Sequence, residues 1–130
     1  MSFSKSSVLN LFATAIATIS IGFGINAIVR PDHGLTFFEW EPPADAALHR
    51  MVDSLMAIYG IRDIFMGLVI YATAYYGSRQ ALGWTLILNS AVAFADGAVC
   101  WTHGQGQWAH WGYAPLIAVT GSLILGADRT

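Results

Sequence analysis

Cysteine is nearly absent. Cys100 stands alone among 130 residues, which excludes an intrachain disulfide and a thiolate zinc site, and it reads as a small packed side chain. Charge is scarce too, at 11% of residues against 55% hydrophobic. With a formal net charge of −2 and no basic run, no nucleic acid is expected as a partner, and no glycine-rich phosphate cradle is present. Internal repeats and low-complexity segments are missing as well. A mean hydropathy of +0.53 is too apolar for an ordinary soluble domain of this size, so the lipid bilayer is the expected surroundings.

What the chain has in place of charge is long apolar runs, at about 8–28, 52–76, 81–102 and 107–126. Each reaches the roughly 20 residues that cross about 30 Å of hydrocarbon. Lys5 precedes the first run, but the run is longer than the roughly 7–15 residues of a signal-peptide core, so it reads as a span. The connections at 77–80 (GSRQ) and 104–107 (GQGQ) are short, which makes consecutive helices antiparallel neighbours. The expected fold is all-α: a four-helix transmembrane bundle with antiparallel up-down topology, one integral membrane domain over residues 1–130. Lys5, Arg79 and Arg129 on one side against Arg30 and Arg50 on the other favour cytoplasmic termini. The expected location is a multi-pass membrane protein, in the endoplasmic reticulum if the source is eukaryotic.

Residues 29–50, VRPDHGLTFFEWEPPADAALHR, form the only long loop and hold three of the four prolines. Phe37, Phe38 and Trp40 suit a membrane interface. Such a loop is either a plain connector or a lid over the bundle.

The stretch IYGIRDIFMGLVIY, 58–71, sets two full charges, Arg62 and Asp63, in an apolar run. In a helix over about 55–75, Asp63 lies within about 3 Å of the centre, where a charge costs on the order of 3 kcal/mol and normally faces the bundle interior. Gly60 and Gly67 flank Asp63 at i−3 and i+4 and form a small-residue strip that marks the buried face. In the third run Asn89, Asp96 and His103 recur every seven residues and share one helix face. Antiparallel packing displaces Asp63 and Asp96 toward the same membrane surface, together with His49, Asp53, His103 and His110. The polar groups therefore converge in the half beneath the long loop.

Carboxylates, an arginine and histidines in a low-dielectric pocket suit proton transfer, because burial and a neighbouring cation separate an acid from a base. The competing structural reading is a buried ion pair that fixes helix register. Two acids with one evident cation leave one carboxyl without a strong partner. Asp63, Asp96, Arg62 and His110 are the catalytic candidates; Tyr59, Asn89, Trp101 and His103 are the candidates for contacting substrate. The ordinary roles of Asn89 and Tyr59 are helix packing, and those of His103 and the tryptophan-flanked His110 are interfacial. A metal site from His103, His110 and Asp96 has suitable ligand types but no tight ligand spacing, and neither metal nor cofactor is expected.

Tyr59-Gly60-Ile61-Arg62-Asp63 with Gly67, then Leu82-Gly83, Asp96-Gly97 and His110, resembles a family of small four-helix membrane proteins, common in fungi and also bacterial, catalogued as a domain of unknown function. The likeness covers most of the chain from about residue 50 and, more loosely, the first helix. It implies the four-helix fold and membrane location, with Arg62, Asp63, Asp96 and His110 as site positions. The architecture is also similar to small anthrone-oxygenase-like membrane proteins of polyketide pathways. The function expected is acid–base chemistry on a lipophilic small molecule in secondary metabolism: cyclisation, isomerisation, epoxide opening or cofactor-free oxidation. A non-catalytic membrane scaffold and a small proton-coupled transporter are the alternatives, the latter calling for a homo-oligomer.

Overall fold

A computed structural model of the chain describes residues 5–127, and they are all-α. Arg129, one of the charges used to orient the chain, lies outside the described residues. The elements are α1 (Lys5–Val29), α2 (Pro31–Leu35), a 3-10 turn (Thr36–Phe38), α3 (Ala46–Tyr76), α4 (Arg79–His103), α5 (Gln107–Trp111) and α6 (Ala114–Ala127). Of these, α1 from Ser7, α3 and α4 are long and apolar enough to cross a membrane. Their outer faces expose large apolar side chains such as Leu11, Phe65, Leu68 and Leu88, which water would not tolerate as one continuous surface. The protein is membrane-associated.

Local chemistry sets the helix ends. Pro31 has no amide hydrogen, so α1 stops before it and Pro31 begins α2 instead. Asp45 caps α3 by accepting from the Leu48 amide at 3.0 Å, and Ser78 caps α4 by accepting from Ala81 at 3.0 Å. Gly104, at φ 103°, closes α4. Because its cap lies at Asp45, α3 starts earlier than the apolar run at 52. The interval 29–50 is accordingly not a bare loop: it carries α2, the 3-10 turn and the first turn of α3.

The fourth span expected over 107–126 is divided. Pro115 cannot donate to the Trp111 carbonyl and its ring crowds that oxygen, so the helix breaks at Gly112–Tyr113 and restarts as α6. With 14 residues, α6 is about 21 Å long, short of the hydrocarbon thickness. Apolarity made this segment look continuous, and proline geometry interrupts it.

The tightest seam joins α1 and α3. Buried Ala13, Ala17, Gly24 and Ala27 of α1 follow a small-residue repeat, and the last three meet Gly60 and Gly67 of α3. A Cβ on Gly67 would lie 2.6 Å from the Ala17 carbonyl oxygen, and one on Gly24 2.5 Å from that of Gly60. As α1 advances from 17 to 24, α3 therefore retreats from 67 to 60, and the helices are antiparallel. Gly83 and Gly121 bring α4 and α6 together in the same manner. An apolar cluster of Ile70, Leu82, Leu86, Ile117 and Ile124 fills the bundle toward the α3–α4 turn. A second, including Leu35, Phe38, Met56 and Cys100, lies beneath the segment before α3.

Candidate active site

Arg62 and Asp63 stand on adjacent faces of α3. The midpoint of 46 and 76 is residue 61, so both charges lie within two residues of the middle of this helix. Arg62 reaches across to α4 and grips Asp96 with both terminal nitrogens, at 2.7 and 3.3 Å. Its guanidinium also lies 4.6 Å from the centre of the Tyr59 ring, one turn earlier on α3. Asp63 is only 3.9 Å from the nearest guanidinium nitrogen and has no such grip on it. It is also the more enclosed acid, at 9% exposure. Its backbone carbonyl accepts from the Ser20 hydroxyl of α1 at 2.8 Å, so the residue is fixed by the small-residue seam while its carboxyl faces inward.

Two cavities of about 90 Å³ adjoin that carboxyl. The inner one is bounded by α1, α3, α4 and the start of the last segment, and its polar lining includes Asp63, Asn89, Asp96 and Tyr113. The middle one lies nearer the loop and is lined by Phe38, Tyr59, Asp63, His110 and Tyr113 among others. Phe23, Asp63 and Tyr113 belong to both. His110 is 2% exposed, with Nδ1 3.3 Å from the Tyr113 hydroxyl, its ring 4.8 Å from that of Phe38, and Nε2 buried without a hydrogen-bond partner.

A third and larger space of about 690 Å³ opens outward under the loop, between Leu35, Phe38, Trp40, Val52, Met56 and His103. The loop is tied down over it. Glu39 takes a left-handed conformation at φ 57°, its carbonyl accepts from the Gln105 side chain at 2.5 Å, and the Trp40 indole donates to the Gln105 carbonyl at 3.4 Å. Gly106, at φ 94°, has no Cβ to collide with the Phe38 backbone.

The family model for Domain of unknown function (DUF4267) matches residues 17–124. The chain belongs to this family. The matched region takes in α3, α4, α5 and every residue of the three cavities except Ile16. No curated protein matches the chain, and no solved structure does.

In this DUF4267 protein Arg62, Asp63, Asp96, Tyr59, Asn89 and His110 all reach the inner or middle cavity or the charged cluster beside them. His103 does not. Its ring lies 4.4 Å from that of Trp40 in the outer space, because seven residues carry it about 10.5 Å along α4 from Asp96, toward the loop. Trp101 is 63% exposed on the outer face of α4, away from the site, since residues 100 and 101 diverge by about 100° and Cys100 is the one turned inward. Tyr113, Ser20 and Phe38 were not among the sequence candidates. Pro115 was the available signal for Tyr113, because a helix restart leaves the preceding residue free to turn inward.

His103, His110 and Asp96 do not assemble as metal ligands. Among the described residues, Asp32, His49 and Asp53 are the group whose donor atoms lie within 4.8 Å of one another. There His49 Nε2 lies 2.8 Å from Asp32 and 3.6 Å from Asp53, an ion-pair cluster that ties α2 to the first turns of α3.

Proposed function

We propose that the protein is a membrane enzyme that transfers protons to and from a lipophilic small molecule, with Asp63 as the acid. The observation carrying this reading is the unequal partnership of the two carboxyls: Arg62 holds Asp96 through two bonds, whereas Asp63 keeps its carboxyl toward both cavities. One guanidinium balances one carboxylate, so the low-dielectric cluster is neutral with a single proton on its two acids. That proton sits beside the cavities on Asp63.

Asp63 gives its proton to an oxygen or double bond of the substrate, and the positive charge that develops faces the ionised Asp96. Asp96 keeps acceptor sites beyond the two that Arg62 occupies and removes a proton from a neighbouring carbon. To reset the site Asp96 gives up the proton it gained and one proton returns to Asp63, carried by Tyr113 and His110 on the loop side, so the cycle closes with no net proton change. Cyclisation, isomerisation and epoxide opening need this proton inventory alone; an oxidation would add dioxygen as co-reactant. A tailoring step on a polyketide- or terpene-like molecule fits the apolar walls.

The test uses the full chain in lipid nanodiscs with a panel of lipophilic epoxides, enones and polyenes. Asp63→Asn abolishes turnover with little change in melting, because the amide keeps the shape and cannot exchange the proton. Retained turnover in both Asp63→Asn and Asp96→Asn, or loss through unfolding alone, leaves a structural ion pair in a non-catalytic accessory protein. The bidentate Arg62–Asp96 geometry favours that second reading. Proton flux in liposomes without turnover would instead support a transporter.

A further inference from the structure

One cluster of ionisable side chains lies outside the three cavities, where α2 meets the start of α3. His49 and Asp53 stand four residues apart on one face of α3 and Asp32 comes from the first turn of α2, so two elements bring three donor atoms within 4.8 Å of one another. Their pairing is unequal. His49 Nε2 lies 2.8 Å from Asp32 Oδ1 but 3.6 Å from Asp53 Oδ1, beyond hydrogen-bonding distance. The single Nε2–H points to one carboxylate, and Asp32 takes it. Asp53 Oδ1 is shielded from solvent and accepts no hydrogen bond among the described residues, although its side chain as a whole is 40% exposed.

A protonated imidazole between two carboxylates leaves the cluster with a charge of −1. A proton serves one acid at a time, whereas a divalent cation meets both carboxylates and a neutral imidazole together and brings the charge to zero. We infer that Asp32, His49 and Asp53 bind a divalent cation of the zinc class, which fastens α2 to α3. Such an ion holds imidazole nitrogen and carboxylate oxygen at about 2.0–2.2 Å, which sets neighbouring donors roughly 3.0–3.5 Å apart. The observed 2.8 and 3.6 Å straddle that range, so small side-chain movements admit the ion. It takes the place of the proton on Nε2, which passes to solvent.

The donor set selects the metal. An imidazole beside two carboxylates suits zinc and its first-row neighbours, while calcium and magnesium take oxygen ligands. His49 and Asp32 are 36% and 55% exposed, so water reaches the coordination position that three protein ligands leave open. The ion also acts at a distance along the chain. Leu35 ends α2 and leads directly into the 3-10 turn that carries Phe38, so fixing Asp32 to α3 steadies the cover of the bundle. None of the three ligands borders the cavities beside Asp63, and the inference is independent of the acid role proposed for that residue.

The test uses the full chain without an affinity tag, stripped with a chelator and placed in nanodiscs of zwitterionic lipid. Calorimetric titration with Zn²⁺ is expected to show one saturable equivalent per chain, and Co²⁺ to give the visible bands of a nitrogen- and oxygen-ligated ion. Ca²⁺ and Mg²⁺ in excess leave the Zn²⁺ in place. His49→Gln and Asp53→Asn each weaken Zn²⁺ binding by about a hundredfold or more, while His33→Gln and His103→Gln keep it. Asp32→Asn, the most exposed of the three ligands, reports the same loss where a substitution in α3 impairs folding. In the wild type Zn²⁺ slows amide exchange across residues 32–38, and in His49→Gln it does not. The inference is overturned if no saturable binding is found, if the ligand variants bind Zn²⁺ as the wild type does, if Ca²⁺ competes at equal concentration, or if exchange across 32–38 is the same with and without the ion.

Discussion

The seams on either side of α3 are built from opposite materials. Toward α1 the residues are glycine and alanine, and backbone rests on backbone; toward α4 the contact is carried by Arg62 and Asp96. Where glycines let two helices touch there is no space for a ligand, and where a long charged pair bridges them the helices stand apart and cavities open beside the bridge. Asp63 belongs to both seams. Its backbone is held by Ser20 in the close-packed one, and its carboxyl faces the open one. A rigid wall thus fixes the acid that Arg62 grips less closely.

Gly67→Val breaks the first seam and is expected to have the largest effect on folding. Its added atoms meet the Ala17 carbonyl and Ile21 Cγ1, each 2.6 Å from a Cβ at this position, for a loss on the order of 3 kcal/mol. A melting temperature in detergent equal to that of the wild type would contradict the close approach of α1 and α3.

The charged seam should be more forgiving. Arg62→Leu leaves Asp96 unpaired, but the pair is only part-buried, so about 2 kcal/mol is expected. Replacing Asp96 by Leu as well returns most of that stability. A double-mutant cycle with no coupling would mean that the pair holds nothing together.

Asp63→Asn sharpens the contrast, since stability should change by less than about 1 kcal/mol while turnover falls about a hundredfold or more. A fall in both together would make Asp63 part of the structural bridge. His110→Gln is the mildest change: folding is unaffected and the rate drops by less than in Asp63→Asn. If rates between about pH 5 and 8 are the same with and without this imidazole, His110 packs against Phe38 and relays nothing.

The glycine strip around Asp63 was readable from spacing alone, because helical periodicity and small size are local properties and Gly60 and Gly67 do face α1. The pairing of Arg62 with Asp96 was legible only as one of several combinations, since depth limits the choice without fixing it. Two features escaped the sequence for physical reasons. Phe38 reaches the site through a 3-10 turn whose path depends on Gln105, 66 positions beyond the Glu39 carbonyl it holds. Tyr113 does so through a helix break that apolar composition concealed. Trp101, offered as a substrate contact, lies on the outer face of α4, a placement that helical phase decides and residue type does not.

The length of α3 has a consequence for how the protein meets its substrate. Its 31 residues extend about 46 Å, some 16 Å more than the hydrocarbon layer, so the helix outreaches that layer, and its first turns carry His49, Arg50 and Asp53. A lipophilic substrate arrives at a protein built this way already dissolved in the bilayer, and half-saturation should follow its mole fraction in lipid. Doubling the lipid at fixed total substrate would then halve occupancy in the dilute range, with no change in the protein at all.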